Sequence, residues 1–279
     1  MIFEALRANA LKTFRSAMKI EIILAIVAQF LIPAALACSQ PRNFIAGSTV
    51  VVVRTPSEIY VGADSKQVVY GDDTKRSTCK IRQVENLFFA DTGLIGDSAG
   101  RFNVMETVTR AYRVSDSISS TVQAFEQMIV GPFITSLEEV KRDQPRYYLR
   151  YLQGRANFSI VFFGLEKDTL VVYTRAFNAT ESANGTIKVD VQRQDCPDGC
   201  STGITYFFLG EYEAIDTFLD ANPHYSKNGL IPAILKLIEI EIADKPDFVG
   251  YPIDIMRVDK KGAAWIQRKA ECPDVKLGN

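Results

Sequence analysis

The feature that most constrains this chain is an alternation of hydrophobic period along its length. From Thr49, β-branched and aromatic residues come in short runs bounded by turn signals. Thr49–Arg54 (TVVVVR) and Ile59–Ala63 (IYVGA) flank the turn T-P-S-E, and further strands are expected at Gln67–Tyr70, Cys79–Val84 and Leu87–Asp91. The period then becomes helical. Val104, Val108, Ala111, Val114, Ile118, Val122, Phe125 and Ile129 predict a helix from Phe102 to about Val130, and a second runs from about Phe133 to Leu152. Strands return at Asn157–Gly164, Thr169–Ala176, Thr186–Val191 and Thr205–Leu209, with polar turns around Asn178–Asn184. Helices follow at Glu211–Leu219 and Gly229–Ile242. The strands Ile253–Val258 and Ala263–Gln267 close the chain across the turn D-K-K-G. Strands, two helices, strands, two helices, strands is an order that puts helices outside two stacked sheets. The expected class is α+β, a four-layer αββα sandwich.

With 279 residues, 47% of them apolar, one globular domain with a substantial core is expected. Net charge is -1, with no basic stripe, which argues against a nucleic-acid partner. The five cysteines lack metal-ligand spacing. Cys196 and Cys200, in C-P-D-G-C, suit a disulfide in an oxidising compartment rather than a zinc half-site, because no second pair follows. The single histidine, His224, lies in a loop-like stretch, so a Ser-His-Asp triad is not expected. No cofactor and no metal are implied. N-x-S/T sequons stand at Asn157, Asn178 and Asn184. Asn157 opens a strand, which leaves the other two as the glycan sites if the protein is eukaryotic.

Ile22–Ala37 is apolar but interrupted by Gln29 and Pro33, and ends in the small-x-small pattern Ala35-Leu36-Ala37. It is shorter than the ~20 apolar residues a spanning helix needs. Residues 1–37 therefore read as a signal peptide, with M-K-I-E-I-I at Met18 as an alternative start. The expected product is exported, periplasmic or secreted, and meets a membrane only through its leader. An uncleaved anchor over residues 20–37 is the alternative. Cleavage after Ala37 would expose Cys38, as a lipidation site or a thiol nucleophile, and leave 38–47 as a short propeptide or linker before a domain spanning 48–279.

One constellation carries chemistry. Gly47 precedes Ser48 and Thr49 at the head of a valine run, Asp64 follows Ser48 by sixteen residues in Y-V-G-A-D-S-K, and Lys80 follows Asp64 by sixteen in S-T-C-K-I-R. Gly93 comes after a hydrophobic strand in F-F-A-D-T-G-L-I-G-D. Asp97 of that motif is expected to cap the helix opening near Ser98–Arg101. The stretch from Gly47 to about Gly100 resembles the start of proteasome β subunits and of the bacterial HslV peptidase, which are N-terminal-nucleophile (Ntn) hydrolases. G-Y-P-I-D-I-M-R-V at Gly250 is similar to the family's late glycine-containing turn and strand.

The resemblance implies a nucleophile at Ser48, exposed by autocatalytic cleavage after Gly47, with Thr49 as a fallback. A hydroxyl needs a base, and a freed α-amino group with a pKa near ~8 can serve. A buried Lys80 would lower the hydroxyl's pKa, Asp64 would hold Lys80, and the Gly93 N–H would stabilise the oxyanion. The implied substrate is a peptide or small amide, and the family's rings imply a homo-oligomer as one option. The chain departs from the family pattern in four places. Ser48 stands for threonine and Lys66 for arginine, Glu211 stands near an expected serine, and around K-P-D-F-V-G-Y Asp247 is shifted by one residue while Val249 replaces a serine. A catalytically silent binding or assembly scaffold is therefore the alternative function.

Overall fold

The computed structural model describes residues 44–46, 48–69 and 72–274. The leader, both candidate starts, Cys38 and Gly47 lie outside the described residues. Among those described, no helix is long and apolar enough to cross a membrane.

The strands are β1 (Phe44–Ala46), β2 (Thr49–Arg54), β3 (Glu58–Ala63), β4 (Lys66–Val69), β5 (Asp72–Ser77), β6 (Ile81–Val84), β7 (Leu87–Gly93) and β8 (Gly96–Asp97). Helices α1 (Val104–Arg113) and α2 (Ile118–Asp143) follow, then β9 (Asn157–Glu166), β10 (Thr169–Glu181), β11 (Ile187–Cys196) and β12 (Thr205–Gly210). Next come α3 (Glu213–Ala221) and α4 (Leu230–Asp244), and β13 (Asp254–Asp259) with β14 (Gly262–Gln267) ends the series. The strands form two five-stranded antiparallel sheets, ordered β11-β10-β9-β7-β6 and β12-β2-β3-β13-β14, and a small sheet β5-β4-β1-β8.

Why a strand such as TVVVVR has no polar face follows from what covers it. Alternate side chains leave opposite faces of a strand. Val50 and Val52 belong to an apolar cluster shared with Ala90, Val161, Phe163 and Met256 of both large sheets. Val51 and Val53 belong to another, with Ile215 of α3 and Ile234, Leu237 and Ile238 of α4. β7 and β9 divide in the same way. Phe88 and Val161 join the shared cluster, whereas Phe89, Phe158, Ile160 and Phe162 pack with Val108 of α1 and with Phe125, Ile129 and Phe133 of α2. Both large sheets are thus covered on two faces, which requires continuous hydrophobic runs rather than alternation.

The expected helix boundaries are corrected. The first helix stops at Arg113, and Val114, expected on its apolar stripe, is 69% exposed. Ser117 starts the second with a reciprocal cap: its hydroxyl accepts from Ser120 N at 3.1 Å, and Ser120 Oγ accepts from Ser117 N. That helix then runs unbroken through Gly131 and Pro132. Phe125, Ile129, Phe133 and Leu137 bury one continuous stripe, and this burial outweighs the donor Pro132 cannot supply. Asp97 does not cap a helix either. Its Oδ1 accepts from Arg101 N at 3.0 Å and its Oδ2 from Ser136 Oγ, while Asn103 is the true N-cap. Asn178, expected in a turn, is within β10, and the turn lies at 182–186. Polar β5 gave no periodic signal, and its pairing with β4 identifies it as a strand.

Gly62 shows how closely α4 sits on β3. A methyl group there would come within 2.3 Å of Ile234 Cγ2 and 3.0 Å of Ile238 Cδ1. Gly62→Ala should therefore lower stability by about 1–3 kcal/mol through overpacking, read as a lower urea midpoint with an unchanged m-value.

Candidate active site

Asp64 follows the last residue of β3 and is fully buried. A buried carboxylate is tolerable only when its lone pairs are satisfied. Here Oδ1 accepts from Thr49 N at 2.9 Å and from Lys80 Nζ at 2.5 Å. Oδ2 accepts from Lys66 N at 3.0 Å and Gly250 N at 2.9 Å. The late glycine turn singled out in the sequence thus reaches the site, and Ser65 N returns a hydrogen bond to Gly250 O at 2.9 Å.

Lys80 ends the irregular segment before β6 and is buried. Burial pushes its ammonium below the ordinary lysine pKa. Asp64, and more weakly Asp91, pull it back up, while Lys269 pushes it down. The buried carboxylate of Asp91, on β7, is held above the usual range by desolvation, against the pull of Arg82 at 2.7 Å and of Lys80. Its Oδ1 has no hydrogen-bond partner among the described residues. Asp91 and Lys80 line a narrow gap with Ser48, Lys66, Gln67, Thr78 and Ile95.

Ser48 immediately precedes β2 with φ 135°, a region L-residues rarely occupy. Across from it, Gly210 has φ +82°, and a Cβ there would lie 2.0 Å from Ser48 O. Only glycine permits this approach. Glu211 N then donates to Ser48 O at 3.0 Å. Thr49, the fallback nucleophile, is committed elsewhere: its hydroxyl donates to Glu211 O at 2.6 Å, its N–H to Asp64, and it is fully buried. Ser48 instead lines a cleft of about 380 Å³ together with Thr92, Gly93, Asn157, Gly210 and Glu211. Gly93 has φ +76°, and a Cβ would collide with Asn157 O at 2.5 Å, so glycine has a conformational reason to be there as well.

Ser48, Asp64, Lys80 and Gly93, singled out by the family resemblance, are therefore brought to one region by the ends of β2, β3 and β7 and the lead into β6. Asp247 and Val249 sit in the turn Lys245–Val249, where Val249 N donates to Lys245 O and the side chain is buried. His224 is exposed in a loop, as expected. Cys196 and Cys200 are bonded to each other. A second disulfide, Cys79–Cys272, spans 193 residues and left no sequence signal. Two disulfides suit an oxidising compartment. Cys79, Asp254 and Cys272 form the one group of three potential metal ligands found among the described residues. Its sulfurs are bonded to each other and Asp254 is paired with Lys269, so it offers no thiolate to an ion. Sequence reasoning also missed Asp91 and Lys269, since an isolated acid in a strand and a lysine near the terminus look like solvated residues until burial is known.

No protein-family model matches the chain, and no curated protein is similar to it.

Removing Asp64 should cost more than removing Lys80. Asp64→Asn leaves a buried, uncompensated ammonium and should destabilise by about 3–5 kcal/mol, whereas Lys80→Met leaves a carboxylate that keeps three backbone donors and should cost less; urea denaturation at neutral pH decides. Asp91 has the opposite linkage. Its pKa is raised from 3.8 on folding, so its contribution is full below that value and lost as pH rises through the higher folded one. Asp91→Asn should flatten that part of the stability-versus-pH curve.

Proposed function

We propose that this protein is an exported, proteasome-like Ntn hydrolase that cleaves amide bonds with Ser48 as its N-terminal nucleophile. The observation that carries the reading is the joint position of Ser48: it faces the cleft that Gly93 lines and the gap that holds the Lys80 ammonium, itself paired with Asp64. The three apolar clusters, helices on one sheet, sheet on sheet, and sheet on the other helices, support a four-layer αββα sandwich.

The chemistry proceeds in two stages. In processing, Ser48 Oγ bonds to the Gly47 carbonyl carbon and the Gly47–Ser48 C–N bond breaks, leaving an ester and a free α-amine. Water hydrolyses the ester and releases the Gly47 carboxylate. In turnover, Oγ attacks a substrate amide carbon while the α-amine takes the hydroxyl proton, and the Gly93 N–H stabilises the oxyanion. Collapse breaks the C–N bond, and the leaving amine takes that proton. Water then frees the acid and regenerates Ser48. Lys80 contributes charge that lowers the hydroxyl's pKa. Activity should rise with pH as the α-amine, with a pKa near ~8, loses its proton, and fall again as Lys80 deprotonates.

A second reading, a silent scaffold on the same fold, is favoured by Glu211 and the buried Val249, which stand where the resembling family carries serines. Intact mass and N-terminal sequencing of the protein expressed with its native leader separate the two. A terminus at Ser48 that is lost in Ser48→Ala and Lys80→Ala is the expected result. A terminus at Cys38 with the Gly47–Ser48 bond intact would overturn the nucleophile and leave the scaffold.

A further inference from the structure

Resting on the Ser48 reading above, we propose that Lys269 is a positioning residue that, together with the Cys79–Cys272 disulfide, holds Lys80 and Asp64 in register beside Ser48.

The β4–β5 ladder, which sets Lys66 opposite Ser77, ends short of both members of the ion pair. Asp64 follows β3 of one large sheet, and Lys80 precedes β6, at the edge of the other. Thr78, Cys79 and Lys80 belong to no strand or helix, so Lys80 is placed by whatever grips those three residues. Thr78 N donates to Ser65 O at 2.9 Å, and the segment after β14 supplies the rest of that grip. Lys269 Nζ donates to Ser65 Oγ at 2.5 Å and to Thr78 O. Ser65 adjoins Asp64, and Thr78 lies two residues before Lys80. Cys272 is bonded to Cys79, the residue next to Lys80. One short stretch, 269–272, thereby fastens the immediate neighbours of both members of the pair.

The stretch is itself anchored. Lys269 N donates to Asp254 Oδ1 at 2.8 Å, and Lys269 Nζ lies 3.4 Å from Asp254 Oδ2. Lys269, Asp254 and Ser65 are all buried. A second buried lysine is an expensive way to fill space, since apolar residues of like volume pack there at lower electrostatic cost. What an apolar residue lacks is directed donors to Ser65 and Thr78, and a positive charge near Lys80. The charged groups facing Lys80 are Asp64 from β3, Asp91 with its partner Arg82 from the β7–β6 pair, Lys66 across the gap, and Lys269 from the C-terminal segment. Of the three cations in that set, Lys269 is the one whose charge pushes the Lys80 pKa down, and its removal favours the protonated form of Lys80.

The test uses the full chain with its leader and the variants Lys269→Met, Lys269→Arg and the double variant Cys79→Ser/Cys272→Ser. Two quantities are read: the rate and pH profile of Ser48 exposure, and the titration of Lys80 Nζ by NMR of protein carrying nitrogen-15 lysine, with Lys80→Met identifying its signal. Lys269→Met should slow Ser48 exposure about tenfold or more, the cost of a small misplacement, and move the alkaline limb and the Lys80 titration to higher pH. Lys269→Arg keeps the charge and donors and should restore both. The double variant should slow exposure while leaving the Lys269 charge in place. A folded Lys269→Met with the wild-type rate and the wild-type Lys80 titration overturns the proposal. Should Lys269→Met not fold, Ser65→Ala removes only the hydroxyl that Lys269 grips; a slowed rate then supports the link and an unchanged rate overturns it. If the wild-type protein never exposes Ser48, the hydrolase reading fails by itself. The Lys80 titration still decides on Lys269: an upward shift in Lys269→Met, restored by Lys269→Arg, supports the positioning role, and no shift overturns it.

Discussion

Four segments of this protein meet at one carboxylate. Asp64 receives the N–H of Thr49 from β2, the ammonium of Lys80 from the lead into β6, the N–H of Lys66 from β4 and the N–H of Gly250 from the loop before β13. Buried and charged, it depends on these donors, and that dependence couples the two large sheets at one end of their shared core. Losing any donor leaves charge unsatisfied in a low-dielectric setting, so the geometry around Ser48 is tied to the integrity of the fold.

Next to that anchor the backbone is strained rather than relaxed. Ser48 adopts a positive φ, and β12 approaches so closely that Gly210 cannot carry a side chain. Such strain persists only where the surroundings over-determine the conformation. Here Glu211 N and O, the pairing of β12 with β2, and Asp64 all act on the two residues Ser48 and Thr49. The two hydroxyls end in opposite situations. Thr49 is bonded and sealed, and Ser48 faces a cleft. Which of the two neighbouring hydroxyls lines the cleft depends on where β2 begins: Thr49 is paired with Gly210 in the ladder, and Ser48 precedes it.

The interior electrostatics form a chain of opposed charges: Arg82 with Asp91, Lys80 with Asp64, Lys269 with Asp254. Each of these three cations has an acid beside it, and Lys80 and Lys269 lie near enough to the neighbouring charges to have their protonation shifted. Lys80 is pulled in both directions. Desolvation and Lys269 favour the neutral amine, while Asp64 and Asp91 favour the ammonium. The balance, rather than any single contact, decides how much positive charge Ser48 meets.

Much of the architecture was legible in the sequence by itself. Valine and phenylalanine runs without a polar face marked strands covered on both sides, and apolar spacing of three and four marked α1, α2 and α4, because burial imposes a period on any element that must hide one face. The grouping of Ser48, Asp64, Lys80 and Gly93 was legible only through the family resemblance, because nothing in the local pattern marks Asp64 or Lys80 as buried. What tertiary structure decided were matters of contact between distant segments. Pro132 remains inside a helix because Phe125 to Leu137 bury a single stripe, Thr49 is excluded by a carbonyl at Glu211, and Cys79 finds Cys272 across 193 residues. Lys269 looks like a solvated terminal lysine in the sequence, and only the folded chain buries it against Ser65, Thr78 and Asp254. Local pattern encodes which face is hidden; the partner that hides it, and the charge waiting there, are properties of the fold.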